Sequence, residues 1–218
     1  MGDKVLLNVA ATMSRSLANG PGIRAVIWVQ GCTIGCAGCY NAFTHPHQQQ
    51  TLVEPETIAD WVASLGDIEG VSFSGGEPFE QSQAVYDAIL AIKEINPKLT
   101  FFCYSGYDVT ELESSNEPSV SNLLSELDML SAGPYIHAQR SQDLLWRGSK
   151  NQKLHYLSRA YSKKQEKEWK ESSPTEEFIL SNDNIHFSGF EGPGSPFLRS
   201  FNRVIRAKTN EEGLKQGV

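Results

Sequence analysis

Short apolar runs of strand length alternate with longer stretches of helical period along most of this chain. Residues 5–9 and 25–30 are apolar runs that predict strands, the second ending at Gly31. Residues 51–65 predict a helix: Pro55 suits a first turn, and Ile58, Trp61, Val62 and Leu65 recur at helical spacing. Gly66 and Gly70 bracket a turn, and residues 71–74 predict the next strand. Val85, Ala88, Ile89, Ile92 and Ile95 mark a second amphipathic helix, stopped by Pro97. Residues 99–104 are a third core run. Helical material follows to about residue 127, broken at Pro118, and residues 127–130 form a last short run.

Strands alternating with helices at this pace predict βαβ units, an α/β class and a mostly parallel sheet. In such sheets the binding site lies at the carboxyl ends of the strands. Three notable segments fall there: a cysteine loop from Cys32, then Ser74-Gly75-Gly76-Glu77-Pro78, then Ser105-Gly106-Tyr107-Asp108.

The pattern changes after about residue 158. Residues 162–173 are rich in Lys, Glu and Gln and predict a solvated helix or a mobile insertion. Residues 176–181 and 184–187 predict two strands joined through Asn182-Asp183 as a hairpin. The expected division is a main domain over 1–190 and a C-terminal extension over 191–218. Gly192-Pro193-Gly194-Ser195-Pro196 reads as a linker. An amphipathic helix over 197–205 follows, with Arg199, Arg203 and Arg206 off its apolar face, and then a fraying tail.

Length changes this picture little: 218 residues suit one domain with an appendage. A hydrophobic fraction of 39% and a charged fraction of 21% describe an ordinary globular chain. A formal charge of −7 argues against a general nucleic-acid binder, which carries a basic surplus. The N-terminus has no apolar signal region, and Leu6 stands where a myristoylation signal wants Ser or Thr. No run approaches membrane-spanning length, so the expected location is the cytoplasm.

The candidate chemistry lies in Gly31-Cys32-Thr33-Ile34-Gly35-Cys36-Ala37-Gly38-Cys39-Tyr40-Asn41, a C-x3-C-x2-C run. Three thiolates this close can converge on one soft metal centre. A cubane 4Fe–4S cluster normally takes four cysteines, so three leave one iron with an open position. A Cys3His zinc site completed by His45 or His47 is the alternative. The three loops on one rim weigh against it, because structural zinc has no need of them. Four cysteines, three of them within eight positions, are too sparse for a disulfide framework. The remaining one, Cys103, lies in an apolar run and reads as a buried small side chain.

Gly20-Pro21-Gly22-Ile23-Arg24, then Trp28-Val29-Gln30-Gly31-Cys32 and the two further cysteines, resemble the radical S-adenosylmethionine superfamily. Within it, Gly38 before the last cysteine and Tyr40-Asn41 after it are similar to the activating proteins of anaerobic ribonucleotide reductases, which are glycyl-radical enzymes. Ser74-Gly75-Gly76-Glu77-Pro78, Ser105-Gly106-Tyr107, Arg147-Gly148-Ser149 and Asn151-Gln152 also match, and Glu177-Phe178-Ile179 with Ser188-Gly189-Phe190 echo a C-terminal hairpin. The resemblance covers roughly residues 5–190. This chain departs from it at Ala132-Gly133-Pro134, where the family has Asp-Gly-Pro, and at Asn19, where it often has Asp.

The resemblance implies a partial, open βα barrel. It also implies that Cys32, Cys36 and Cys39 hold three irons of a 4Fe–4S cluster, the fourth iron taking the amino and carboxylate groups of S-adenosylmethionine. Reduction then yields methionine and a 5′-deoxyadenosyl radical. Gly75 and Gly76 would let backbone approach the methionine, their backbone groups with Glu77 would hold its ammonium, and Ser74 is counted among the cofactor-binding residues. Ser105 and Tyr107 are expected near the ribose or adenine, Tyr40 over the cluster or adenine, and Asn41 beside the cluster loop. Expected partners are a glycyl-radical reductase and an electron donor such as flavodoxin, with neither nucleic acid nor membrane. The competing readings are the same machinery acting on a small molecule or peptide, and a non-enzymatic zinc- or cluster-stabilised module.

Overall fold

A computed structural model describes residues 5–189, except 142, 175, 182 and 183. Its elements in chain order are β1 (Leu7–Ser16), β2 (Arg24–Val29), β3 (Thr51–Val53), α1 (Pro55–Ala63), β4 (Gly70–Gly75), α2 (Ser82–Ile95) and β5 (Thr100–Ser105). There follow α3 (Val109–Glu113), α4 (Pro118–Glu126), β6 (Met129–Ala132), β7 (Lys153–Tyr156), α5 (Glu166–Ser172), β8 (Glu176–Ser181) and β9 (Asn184–Gly189). Seven strands make one open sheet in the order β3-β1-β2-β4-β5-β6-β7, and among the described residues β8 and β9 pair only with each other.

The sheet is mixed, which corrects the expectation of a mostly parallel one. β2, β4, β5 and β6 pair in parallel, while β1 on β2, β3 on β1 and β7 on β6 are antiparallel. The parallel centre is where the apolar runs are continuous: all six residues of β2 are buried, as expected for strands covered on both faces. α1 and α2 pack Ile58, Val62, Val85, Ala88, Ile89 and Ile92 on one face, against Phe73, Phe101 and Cys103. The opposite face carries Met13, Val26 and Trp28 at one side. Phe102, Met129 and Trp146 are buried at the other.

Three elements differ from the sequence pattern for identifiable reasons. β1 continues to Ser16 because bulges between Val9 and Ala11, and between Met13 and Ser16, shift its alternation out of phase. Thr51–Val53 is an edge strand, and the helix starts only at Pro55. Pro118 opens α4 rather than interrupting a helix. Arg24 lies fully buried at the start of β2, far from the strand ends. Its guanidinium donates to Ser72 Oγ at 2.7 Å, the Val71 carbonyl at 2.8 Å and the Thr100 carbonyl at 2.8 Å, tying β2, β4 and β5 together.

The charged segment forms the expected helix but is not wholly solvated. α5 buries Trp169, whose ring lies 5.2 Å from that of Trp146 and 5.6 Å from that of Tyr161. A stripe one residue wide is too thin to register as periodicity, yet it anchors the segment on the sheet. The expected linker over 192–196 and helix over 197–205 lie outside the described residues. Among the described residues no helix is long and apolar enough to cross a membrane. Trp169→Ala is expected to lower unfolding free energy by about 3 kcal/mol. Lys170→Ala, on the exposed side of α5, should change it by less than about 0.5 kcal/mol, both read from denaturant titrations.

Candidate active site

The cysteine loop begins two residues after β2 ends. Gly31 N–H donates to the Thr44 carbonyl at 2.8 Å and Cys32 N–H to the His45 carbonyl at 3.0 Å, so the loop closes on the segment that follows it. Each of the three cysteines follows a glycine in the left-handed region: Gly31 at φ 101°, Gly35 at 60° and Gly38 at 74°. Side chains are strained there, so this repeat of glycine then cysteine is what lets the chain turn three times in so short a span. Cys32, Cys36 and Cys39 are half-buried, form no disulfide and all border one cavity of about 910 Å³. That lies near the upper end of the ~300–1,000 Å³ usual for ligand sites.

Ser74, Gly75, Gly76, Glu77, Ser105, Tyr40 and Asn41 border the same cavity. Tyr107 does not: its ring packs against the helix-side core and its hydroxyl donates to Glu80 Oε1 at 3.3 Å. The helix-side direction follows from the turn after β5, which the sequence alone left open. Cys103 is fully buried in that same helix-side core, away from the three loop thiols.

Gly75 at the end of β4 and Gly76 just after it are demanded by the neighbouring strand and loop. A Cβ on Gly76 would lie 2.1 Å from the Gly31 carbonyl oxygen, and one on Gly75 would lie 2.8 Å from Val29 backbone atoms. Gly76 N–H donates to Val29 and Glu77 N–H to Gly31, both at 2.8 Å, extending the β2–β4 pairing beyond the strands into the cysteine loop. Glu77, 1% exposed, then joins this rim to β5. Its carboxylate accepts from Ser105 Oγ at 3.0 Å, Gly106 N–H at 2.8 Å and Phe79 N–H at 3.0 Å. Burial outweighs these bonds and pushes its carboxyl up to about 7.

Several contributors carried no recognisable signal in the sequence. Glu80 accepts from the backbone N–H of Thr33 at 2.9 Å and from the Thr33 hydroxyl, fixing the residue after the first cysteine. His47 Nε2 lies 3.6 Å from Glu80. Beyond the last cysteine, Arg140 Nε donates to the Tyr40 hydroxyl at 3.0 Å, and the Tyr40 and Tyr135 rings meet edge to face at 5.3 Å. His137 fills the space beside Gly38. Asn151 Nδ2 donates to the Pro134 carbonyl at 2.7 Å and Gln152 Nε2 to the Gly133 carbonyl at 2.9 Å. These bonds give that matched pair a structural task, holding the loop between β6 and β7.

The donor set fits a cluster. Burial pushes the Cys32 and Cys39 thiols upward, partly offset by backbone N–H groups of Gly35 and Ile34 at Cys32 and of Asn41 at Cys39. N–H groups aimed at sulfur are among the features that set cluster properties. Among the described residues no three His, Cys, Asp or Glu side chains meet at a spacing suited to one ion. A cubane asks for less, one thiolate on each of three irons.

Residues 18–155 match the family described as a 4Fe-4S single cluster domain. An anaerobic ribonucleoside-triphosphate reductase-activating protein of Vibrio cholerae is 34% identical over 145 residues, 64% of this chain and 91% of the relative. Proteins with the same description from Escherichia coli K12 and Enterobacteria phage T4 are 30% and 29% identical. The first alignment covers 65% of this chain and 93% of the relative, the second 62% and 85%. The solved structure of QueE from Escherichia coli overlaps 47% of this chain and 53% of its own, with a TM-score of 0.36 at 15% identity, too slight a likeness to define the fold.

Gly76→Ala is expected to cost about 3 kcal/mol in the metal-free protein, because backbone rather than a flexible side chain meets the added methyl; urea titration measures it. Glu77 titrates near 4.5 unfolded and about 7 folded. Between those values the folded state keeps a proton that the unfolded state has lost. The contribution is therefore full below pH about 4.5 and is lost as pH rises through about 7. Glu77→Gln is expected to flatten that part of the stability–pH profile of the metal-free protein, although it is less stable throughout.

Proposed function

Since the chain belongs to the 4Fe-4S single cluster domain family, among the activating proteins of anaerobic ribonucleoside-triphosphate reductases, we propose that it generates the glycyl radical of such a reductase. The observation that carries the reading is three free thiols of one loop bordering the same cavity as the glycine rim of β4, with the fourth cysteine buried elsewhere. The family is one of 4Fe-4S domains, and zinc is set aside on that ground.

When bound, the cluster and S-adenosylmethionine supply a 5′-deoxyadenosyl radical that takes a hydrogen atom from a glycine of the reductase. Cys32, Cys36 and Cys39 would hold the cluster and leave one iron for the nucleoside's methionine end. The rim from Ser74 to Gly76 would line the wall beside that end. Glu77 keeps the rim in register with Ser105 and Gly106, so its carboxylate positions the site from within the protein. Tyr40, held by Arg140 and backed by Tyr135, offers flat apolar surface next to the last cysteine. Asn41 accepts the Thr44 N–H at 2.9 Å through its carbonyl and so closes the loop. The open sheet is read as a partial βα barrel, its concave face carrying the cavity over Met13 and Trp28. A low-potential donor of the flavodoxin type would supply the electron.

Anaerobically reconstituted protein with reductant is expected to release methionine and 5′-deoxyadenosine from S-adenosylmethionine. Electron paramagnetic resonance should then show an organic radical on a co-incubated reductase, and Cys32→Ala, Cys36→Ala or Cys39→Ala should abolish both. Turnover of a small molecule without any radical on the reductase would replace this reading with the alternative substrate class.

A further inference from the structure

The matched family ends at residue 155, yet the cavity does not. Ser188 and Gly189, at the end of β9, form part of its wall, and Ser188 is buried. Both strands of the hairpin are tied to the turn that follows β1. On β8, Glu177 accepts the Ser16 hydroxyl and the Leu17 N–H, the latter at 2.9 Å. On β9, Ser188 Oγ accepts from Asn19 Nδ2 at 2.6 Å. Glu177 and Ser188 are register partners, so one face of the hairpin makes both attachments.

The attachment lies at the end of the cavity remote from the cysteines. The Asn19 carbonyl accepts from Ser72 Oγ, and Ser72 stands three residues before Gly75 in β4, or ~10 Å along the strand. Met13, which pairs with Val26 at the level of Ser72, faces the cavity there with Asn19 and Ser188, while Ala11 and Trp28 stand at the level of Ser74, nearer the thiols. Among the described residues that line it, this stretch offers an apolar side chain with neutral amide and hydroxyl groups and no ionised side chain. Such a wall suits an uncharged peptide backbone carrying little side chain, and not the sulfonium, amino and carboxylate groups that belong at the thiol end.

We infer that the β8–β9 hairpin forms the substrate wall of the cavity, against which the glycine-bearing segment of the reductase is held, and that Glu177 is the positioning residue that keeps it in place. This rests on the activating function above. It assigns the choice of hydrogen donor to a hairpin that follows the residues matched by the family model, while the rim of β4 and the cysteine loop serve the nucleoside.

The test compares reconstituted wild-type protein with Glu177→Ala and Glu177→Gln. Glu177→Ala is expected to raise the reductase concentration for half-maximal activation about tenfold, the scale of losing hydrogen bonds to a charged group. Fewer glycyl radicals should form per S-adenosylmethionine cleaved. The affinity for S-adenosylmethionine, by equilibrium dialysis, and its cleavage without reductase should stay within about twofold. Glu177→Gln, which keeps an acceptor for Leu17 N–H, should fall between, and it carries the comparison if thermal unfolding shows that Glu177→Ala does not fold. Unchanged activation and radical yield overturn the proposal, as does a parallel loss of affinity for S-adenosylmethionine. Wild-type protein that cleaves S-adenosylmethionine but leaves no radical on the reductase overturns the activating function itself, and the hairpin assignment with it.

Discussion

No side chain fits between the end of β4 and the start of the cysteine loop, and the rest of the site depends on that contact. Gly76 sits against the Gly31 carbonyl so closely that even a methyl group would overlap it. The parallel hydrogen bonding of β2 and β4 consequently runs on past both strands, into the loop that carries Cys32 and the loop that carries Glu77. A reactive loop is normally the most mobile part of a fold. Here its first turn is an extension of the sheet, and the thiols inherit the sheet's rigidity.

Two buried charged side chains mark the ends of the parallel strands. Arg24 gathers carbonyls and hydroxyls at the strand starts, and among the described residues its hydrogen bonds go to neutral acceptors. Glu77 gathers N–H and hydroxyl donors at the strand ends, beside the cavity. Each joins β4 to a neighbouring strand or its loop by bonds that an apolar residue could not make. Burial disfavours the charged form of both, lowering Arg24 and raising the carboxyl of Glu77 to about 7. Such groups are costly unless fully bonded, and their position at the two rims suggests rigidity rather than proton transfer as their use.

Much of this was legible in the sequence where one residue type has one physical use. The run of β2, the helical periods of α1 and α2 and the spacing of the three cysteines each point one way. The open sheet's class followed from alternation alone, but its antiparallel edges did not. β1 hides its length behind two bulges, and Lys153–Tyr156 reads as polar because it forms an edge. Tyr135, His137 and Arg140 approach the last cysteine from a loop about a hundred residues further along the chain, and a lone Tyr, His or Arg in a loop has too many ordinary uses to stand out. Tyr107 shows the converse, a matched residue whose ring turns to the helix side.

By itself, then, the sequence determined the chemistry: three thiols in a loop after a buried strand, a glycine pair followed by a carboxylate after the next, and helices between. These rest on local spacing and backbone conformation, which a chain carries in its own order. Only the tertiary structure decided what the glycines avoid, what the carboxylate holds and where the cavity ends. A buried tryptophan in a charged helix and a hairpin tied by Glu177 and Ser188 bound the face of the sheet opposite α1 and α2. The hairpin's bonds join residues more than a hundred and fifty positions apart, and they are set by packing and not by any local pattern.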